Sequence, residues 1–243
     1  MSHLLANWPA PKGIHAGTTT RMGGHSLPPY NNNNFGYHVG DNEQHVTANR
    51  CSLVKALQLT NEPIWLEQTH SNHCIVAEND SNRSADASVT RDKNLALMIM
   101  TADCLPLILC NQNGTEIAAI HAGWRGLANG IVENTLANMH SSPETLMAWI
   151  GPAICQKCYP VGQEMQDTYM SRYPYTKTTF HYQGSNCYAN LPKIAELILN
   201  QQGITHVFQS GACTFELQDT FYSYRREAQT GRMATFISFH QDK

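Results

Sequence analysis

Charge is what this chain has least of. Lys, Arg, Asp and Glu make up 14% of its 243 residues, and the net charge is −3. An average soluble domain carries about 25% charged residues. Without a basic field, general nucleic-acid binding is excluded as a partner class. No run approaches the ~18 uninterrupted apolar residues of a membrane-spanning helix, so no membrane partner is expected. The opening residues MSHLLANWPAPKG lack the basic start and apolar stretch of an export signal, which makes the cytoplasm the expected compartment. Eight cysteines in a chain this long are no disulfide framework, and reduced thiols follow from that reading. Neither GxGxxG nor GxxxxGK[ST] occurs, which removes dinucleotide and P-loop chemistry.

What remains is a chain with 42% hydrophobic residues, enough to bury a real core, and no internal repeat. Ile14–Thr20 reads as a strand before the turn Arg21-Met22-Gly23-Gly24. Val46, Leu53, Val54 and Leu57 keep helical spacing and predict a helix over His45–Leu59. Ile64, Leu66, Gln68 and His70 alternate as one strand face, and Leu95–Thr101 reads as a buried strand. Leu127, Ile131, Leu136 and Met139 predict one helix. Asn190, Pro192 and Gly203 bracket another, and Val207–Gln209 and Met233–Phe239 read as late strands. Interspersed strands and helices with at least one hairpin predict an α+β fold of mixed sheets flanked by helices. A single domain over residues 1–243 suffices.

The chemistry concentrates in Thr101–Gly126. Apolar runs Leu105–Cys110 and Ile117–Ile120 flank Asn111-Gln112-Asn113-Gly114, a hairpin signal. With all four residues in the loop, Cys104 falls opposite His121. With only Asn113-Gly114 in the loop, Pro106 falls opposite His121 and Cys104 becomes its diagonal neighbour. Both registers put thiol and imidazole on one sheet face, where opposed Cβ atoms lie roughly 4.5–5.5 Å apart. Pro106, lacking an N–H, is the residue that threatens the ladder. A catalytic zinc takes three protein ligands and leaves a position open. Cys104 and His121 supply two; His70, ending its own strand, is the preferred third, and His73 the competitor. The same residues serve equally as a buried thiol and a core histidine, or as a thiol–base pair.

Other motifs carry less. Cys155-Gln-Lys-Cys158 has no second pair at zinc-finger spacing and no thioredoxin-like context, so it reads as incidental. Arg125, at the start of the Leu127 helix, suits an anion, as does Arg21 before its glycines. Phe221–Arg232 sets aromatics beside Arg225, Arg226 and Arg232 and suits a ring-and-phosphate pocket or a strand corner.

Several segments jointly resemble the YfiH-like, or laccase-domain, family. They are Thr20–Gly24, Leu66–His70, Ala85-Asp86-Ala87, Thr101–Cys104, His121–Gly126, Gly151–Ile154, Val161-Gly162 and Phe221–Met233. The Cys155–Cys158 pair is a departure from that pattern. The resemblance implies the α+β fold and a zinc site of His70, Cys104 and His121, with copper the alternative metal. It implies a purine nucleoside phosphorylase acting on adenosine and inosine, with methylthioadenosine cleavage and adenosine deamination as further activities. Purine nucleosides and phosphate are then the small-molecule partners. Arg21, Arg125, Arg225 or Arg226 would hold phosphate, and Asp103 or Glu67 would act as acid or base beside Cys104. Two rivals remain. A cysteine hydrolase would use Cys104 as nucleophile and His121 as base. A copper polyphenol oxidase would want His-x-His pairs, and none of the 12 histidines forms one.

Overall fold

The computed structural model describes residues 2–240. Strands β1 (His3–Leu5) and β2 (Ile14–Thr19) precede helix α1 (Glu43–Ala56). Then come β3 (Cys74–Val76), β4 (Ala87–Thr90), β5 (Ala96–Thr101), β6 (Leu105–Asn111) and β7 (Ile117–Ala122), followed by α2 (Trp124–Ala128) and α3 (Ile131–Asn138). The remainder holds β8 (Leu146–Ile150), β9 (Pro160–Val161), α4 (Gln163–Arg172), β10 (Phe180–Gln183) and β11 (Asn186–Ala189). Helix α5 (Leu191–Gln201), β12 (His206–Gln209) and β13 (Met233–Phe239) complete it.

Alternation along the strands sorts the molecule into four layers. In β5, Leu97 and Ile99 face Ile108, Ile117 and Trp149 between two sheets, whereas Ala96, Met98 and Met100 pack on Leu53 of α1 and on Phe35. In β6, Leu107 and Leu109 face the other way, against Leu127, Ile131, Ile194 and Ile198 of the helices. The layers therefore run α1, a four-stranded sheet β1-β2-β13-β5, a six-stranded sheet β12-β8-β6-β7-β4-β3, and helices α2–α5. The larger sheet is mixed: β12–β8 and β3–β4 run parallel, the other pairs antiparallel. The expected α+β class with mixed sheets is what the chain adopts. Each fully buried Leu or Ile contributes ~1.5–3 kcal/mol to this stack.

The hairpin takes the tighter of its two registers, Pro106 opposite His121. Pro106 stays in the ladder; its carbonyl accepts from Gly151 N at 3.0 Å, and a Cβ on Gly151 would come 2.8 Å from its ring.

Two sequence expectations fail for physical reasons. Residues 64–70 form no strand beyond one bridge, Ile64 to Leu97. Instead the Gln68 side-chain amide stands in for a strand partner, donating to Met100 O and accepting from Met100 N, both at 2.8 Å. The single helix expected after the hairpin is two, broken at Gly130, whose φ of 91° cannot continue a helix. Helix α1 starts earlier than its apolar spacing indicated because Asn42 caps it, accepting from Gln44 N. Asn190 caps α5 as expected, accepting from Lys193 N at 3.1 Å.

Candidate active site

The site lies at one edge of the space between the sheets. His121 is on β7 and buried, and its parity matches Ile117 and Ala119, which face that space. Cys104 sits in the bend between β5 and β6, just after Asp103, whose φ is 93°. His70 ends the 64–70 segment with its own backbone left-handed at φ 61°. The three donor atoms all lie within 4.8 Å of one another. Cys104 Sγ is 3.7 Å from His70 Nε2, and the two imidazoles meet edge to face with centroids 4.7 Å apart. Gly123 leaves the room: a Cβ there would come 2.7 Å from His70 Cδ2 and 3.4 Å from Cys104 Sγ. His73 is elsewhere, its Nδ1 3.0 Å from Ser84 O.

One carboxylate aligns two of the three donors. Asp86, fully buried just before β4, accepts from His121 Nδ1 at 2.7 Å and from His70 N at 3.0 Å through one oxygen. Its other oxygen accepts from Thr69 N, Ser71 N and Ser71 Oγ. With Nδ1 engaged, His121 turns Nε2 toward the thiol, the arrangement by which outer carboxylates orient metal-ligating histidines. Burial opposes charge on all three groups, but their mutual bonds outweigh it. The Asp86 carboxyl falls to about 2, helped by His121 and Ser71. His121 rises to about 9 beside Asp86 and Cys104, and the Cys104 thiol drops to about 6 beside His121 and His70. Surroundings that favour a proton on His121 Nε2 also favour a cation there. The Cys, His, His donor set, the tight spacing and the room at Gly123 therefore fit zinc or copper. Among the described residues no fourth His, Cys, Asp or Glu joins the group, so an ion held by these three donors would have room for a further ligand.

The three donors line a cavity of about 420 Å³, walled also by His38, Gln68, Thr101, Tyr224 and Arg232. A second lobe of about 600 Å³ shares His38, Gln68 and Met100 and adds Trp65, Arg50 and Glu67. Glu67 is exposed there. Asp103 is nearly buried and its carboxylate accepts from Thr214 Oγ1, Ser223 Oγ and Arg225 N at 2.6–2.9 Å. Its oxygens thus fasten the turn that presents Tyr224. Of the four arginines singled out, Arg225 comes nearest, lining a small recess with Cys104 and Tyr159. Arg21 is tied to Asn31 O and Gln218 O. Arg226 is tied to the carbonyls of Thr214, Phe215 and Phe221. Arg125 is exposed, its guanidinium 4.2 Å from the Trp124 ring centroid.

A family model described as multi-copper polyphenol oxidoreductase laccase matches residues 15–240. The chain belongs to this YfiH-like, laccase-domain family. The purine nucleoside phosphorylase YfiH of Escherichia coli (strain K12) is 42% identical over 240 residues, 98% of this chain and 99% of that protein. A purine nucleoside phosphorylase of Haemophilus influenzae is 43% identical over 243 residues, 98% of this chain and 100% of its own. The crystal structure of Neisseria meningitidis protein NMB0706 superposes with a TM-score of 0.94 at 41% identity, covering 99% of this chain and 100% of that one. As a YfiH-like protein, the chain offers one Cys and two His at this site, too few donors for a three-copper cluster.

Two residues at this candidate site were not singled out from the sequence. Asp86 appeared only within a shared motif, because a lone Asp between alanines announces no role. Arg232 was noted as one of a group of arginines. Only the pairing of β13 with β5, which sets Met233 beside Thr101, carries it to the cavity wall.

Proposed function

We propose that this YfiH-like protein is a zinc-dependent purine nucleoside phosphorylase of adenosine, inosine and methylthioadenosine, with adenosine deamination as a side activity. One observation carries the reading: a three-donor centre opens onto a cavity whose wall holds an arginine, Arg232. The names of relatives that match nearly the whole chain support it. Residues 1–243 act as one catalytic domain on this reading. The cytoplasm is its compartment, in keeping with eight unbridged cysteines. No described helix is long and apolar enough to cross a membrane.

His70, Cys104 and His121 would hold the ion, which when bound supplies Lewis acidity toward oxygen and nitrogen atoms of the substrate. The chain's own residues do the rest. Arg232 is buried enough that its pKa falls below the ordinary arginine value, and Cys104 and Tyr224 partly offset the fall. A cation so placed gains by pairing with a phosphate dianion. Held there, phosphate attacks the anomeric carbon, the C–N bond breaks, and its electron pair leaves with the purine. Tyr224, more than half exposed, offers a ring face to the base. Glu67, exposed on the second lobe, is the carboxyl available to move a proton, while Asp103 positions the Tyr224 turn. Chromatography of adenosine incubated with phosphate tests the reading: adenine and ribose 1-phosphate should form, and inosine should form independently of phosphate. Neither adenine nor inosine from zinc-replete protein would overturn it.

A second reading rests on the 3.7 Å contact of Cys104 Sγ with His70 Nε2, with His121 alongside. Without a metal this is a thiol–imidazole pair suited to acyl transfer. Full activity on esters or amides after chelation would favour it.

A further inference from the structure

The Cys-x-x-Cys pair, unpromising in sequence, has a third thiol beside it. Cys155, Cys158 and Cys213 bring their sulfurs within 4.8 Å of one another. The Glu216 carboxylate lies 3.7 Å from Cys155 Sγ. The two segments read Cys155-Gln-Lys-Cys158 and Cys213-Thr-Phe-Glu216, so each presents two donors three residues apart. We propose that these four side chains form a second, structural metal site for zinc, separate from the His70 centre.

Three features argue for a built site. A β-bridge joins Ala153 to Cys213, with Thr214 N donating to Ala153 O at 3.1 Å, so the segments are locked in register. A 3₁₀ turn over Gln156–Cys158 folds Cys158 back, its N–H donating to Cys155 O. The Cys155 N–H donates to Cys213 Sγ at 3.3 Å, a bond that disperses charge on a thiolate and orients it as a ligand. Three sulfurs at Zn–S distances of about 2.3 Å, with the Glu216 carboxylate drawn in from its place beside Cys155, would complete the closed tetrahedral shell of structural zinc. Cysteines packed as small hydrophobes would be fully buried; Cys155 and Cys158 are partly exposed. Cys155 and Glu216 also border a surface cavity of about 320 Å³ through which an ion can enter. Binding releases the thiol protons to solvent.

The site's position gives it work to do. Ile154 N donates to Asp103 O at 3.1 Å, and Thr214 Oγ1 donates to the Asp103 carboxylate at 2.6 Å. Both segments of the thiol cluster thus grip the residue next to Cys104. An ion clamping them would brace the bend that carries Cys104.

Metal content of protein purified without chelator tests the proposal. Wild type should hold two zinc ions per chain, and Cys155→Ser, Cys213→Ser and Cys104→Ala one each. Cobalt substituted into the Cys104→Ala variant should give thiolate-to-cobalt charge-transfer absorption, because the cluster is untouched in that protein. The band should vanish when Cys155→Ser and Cys213→Ser are added. One zinc per chain in wild type, with no thiolate–cobalt band in Cys104→Ala, overturns the second site. So does a disulfide within the cluster in anaerobically purified protein. Neither result bears on nucleoside cleavage at the His70 centre, whose failure would appear in product chromatography alone.

Discussion

Replacing Asp86 by Asn keeps the shape of the side chain and removes the charge that aligns His70 and His121. The wild-type carboxylate accepts six hydrogen bonds, from His121 Nδ1, the backbone N–H groups of Thr69, His70 and Ser71, and the hydroxyls of Thr69 and Ser71. Asn must aim its NH₂ at donors on one side or the other, so at least one buried contact becomes repulsive. Removing one partner of a buried, hydrogen-bonded charge pair costs about 3–5 kcal/mol, and Asp86 is fully buried. Loss of a carboxylate behind a metal-ligating histidine weakens the metal by roughly 10–100-fold. Two measurements apply: competition for zinc against a chromophoric chelator, read at the His70 centre in a Cys155→Ser background, and urea unfolding of the metal-free protein. Wild-type affinity combined with wild-type stability would refute the argument that Asp86 aligns the donors. Lost stability with unchanged affinity would confine Asp86 to the fold.

Arg232→Ala should raise the phosphate concentration needed for half-maximal adenosine cleavage, whereas Arg125→Ala should leave it unchanged; initial rates across a phosphate series decide. Gly123→Ala should displace His70, whose Cδ2 would lie 2.7 Å from the new Cβ, and so lower zinc affinity by more than tenfold in the chelator assay. Burial pushes the Glu116 carboxyl up, but bonds from Ser141, His140 and Arg91 prevail, and its pKa falls below the ordinary value of 4.5. The stability it contributes is therefore full above that ordinary value and is lost as pH falls through the lowered one. Urea unfolding should show wild type losing more stability than Glu116→Gln between about pH 6 and pH 3; parallel losses would refute it.

The hairpin was legible because apolar runs around an Asn-Gly loop need only local rules. Its register was not, since the choice turned on a side chain: Asn111 Oδ1 accepts from Thr115 N and Glu116 N and closes the shorter turn. The 64–70 segment kept its alternation but formed no ladder, because a Gln amide and a backbone strand satisfy the same groups on β5 and look alike in a pattern of polar and apolar letters. The donor trio was within reach, since Cys104 and His121 share a hairpin face and His70 ends the nearest alternating segment. The arginines were not separable. Arg225, Arg226 and Arg232 lie within one short run, and which of them reaches the cavity depends on strand pairing and on carbonyls distant in sequence. Cys213 was invisible as a neighbour of Cys155 for the same reason: a single β-bridge makes the contact.

The Gln68 amide on Met100 also shields a sheet edge. Strand β5 is the outer strand of its sheet, and exposed outer strands invite pairing with another molecule. Ile64 and Gln68 occupy that border, and Gln68 also forms a wall of the cavity lined by His70, Cys104 and His121. One side chain thus guards against self-association while walling the cavity beside the donor trio. A mutation that loosened this wall would leave molecules prone to stick to one another along β5, and solubility would register damage to the cavity.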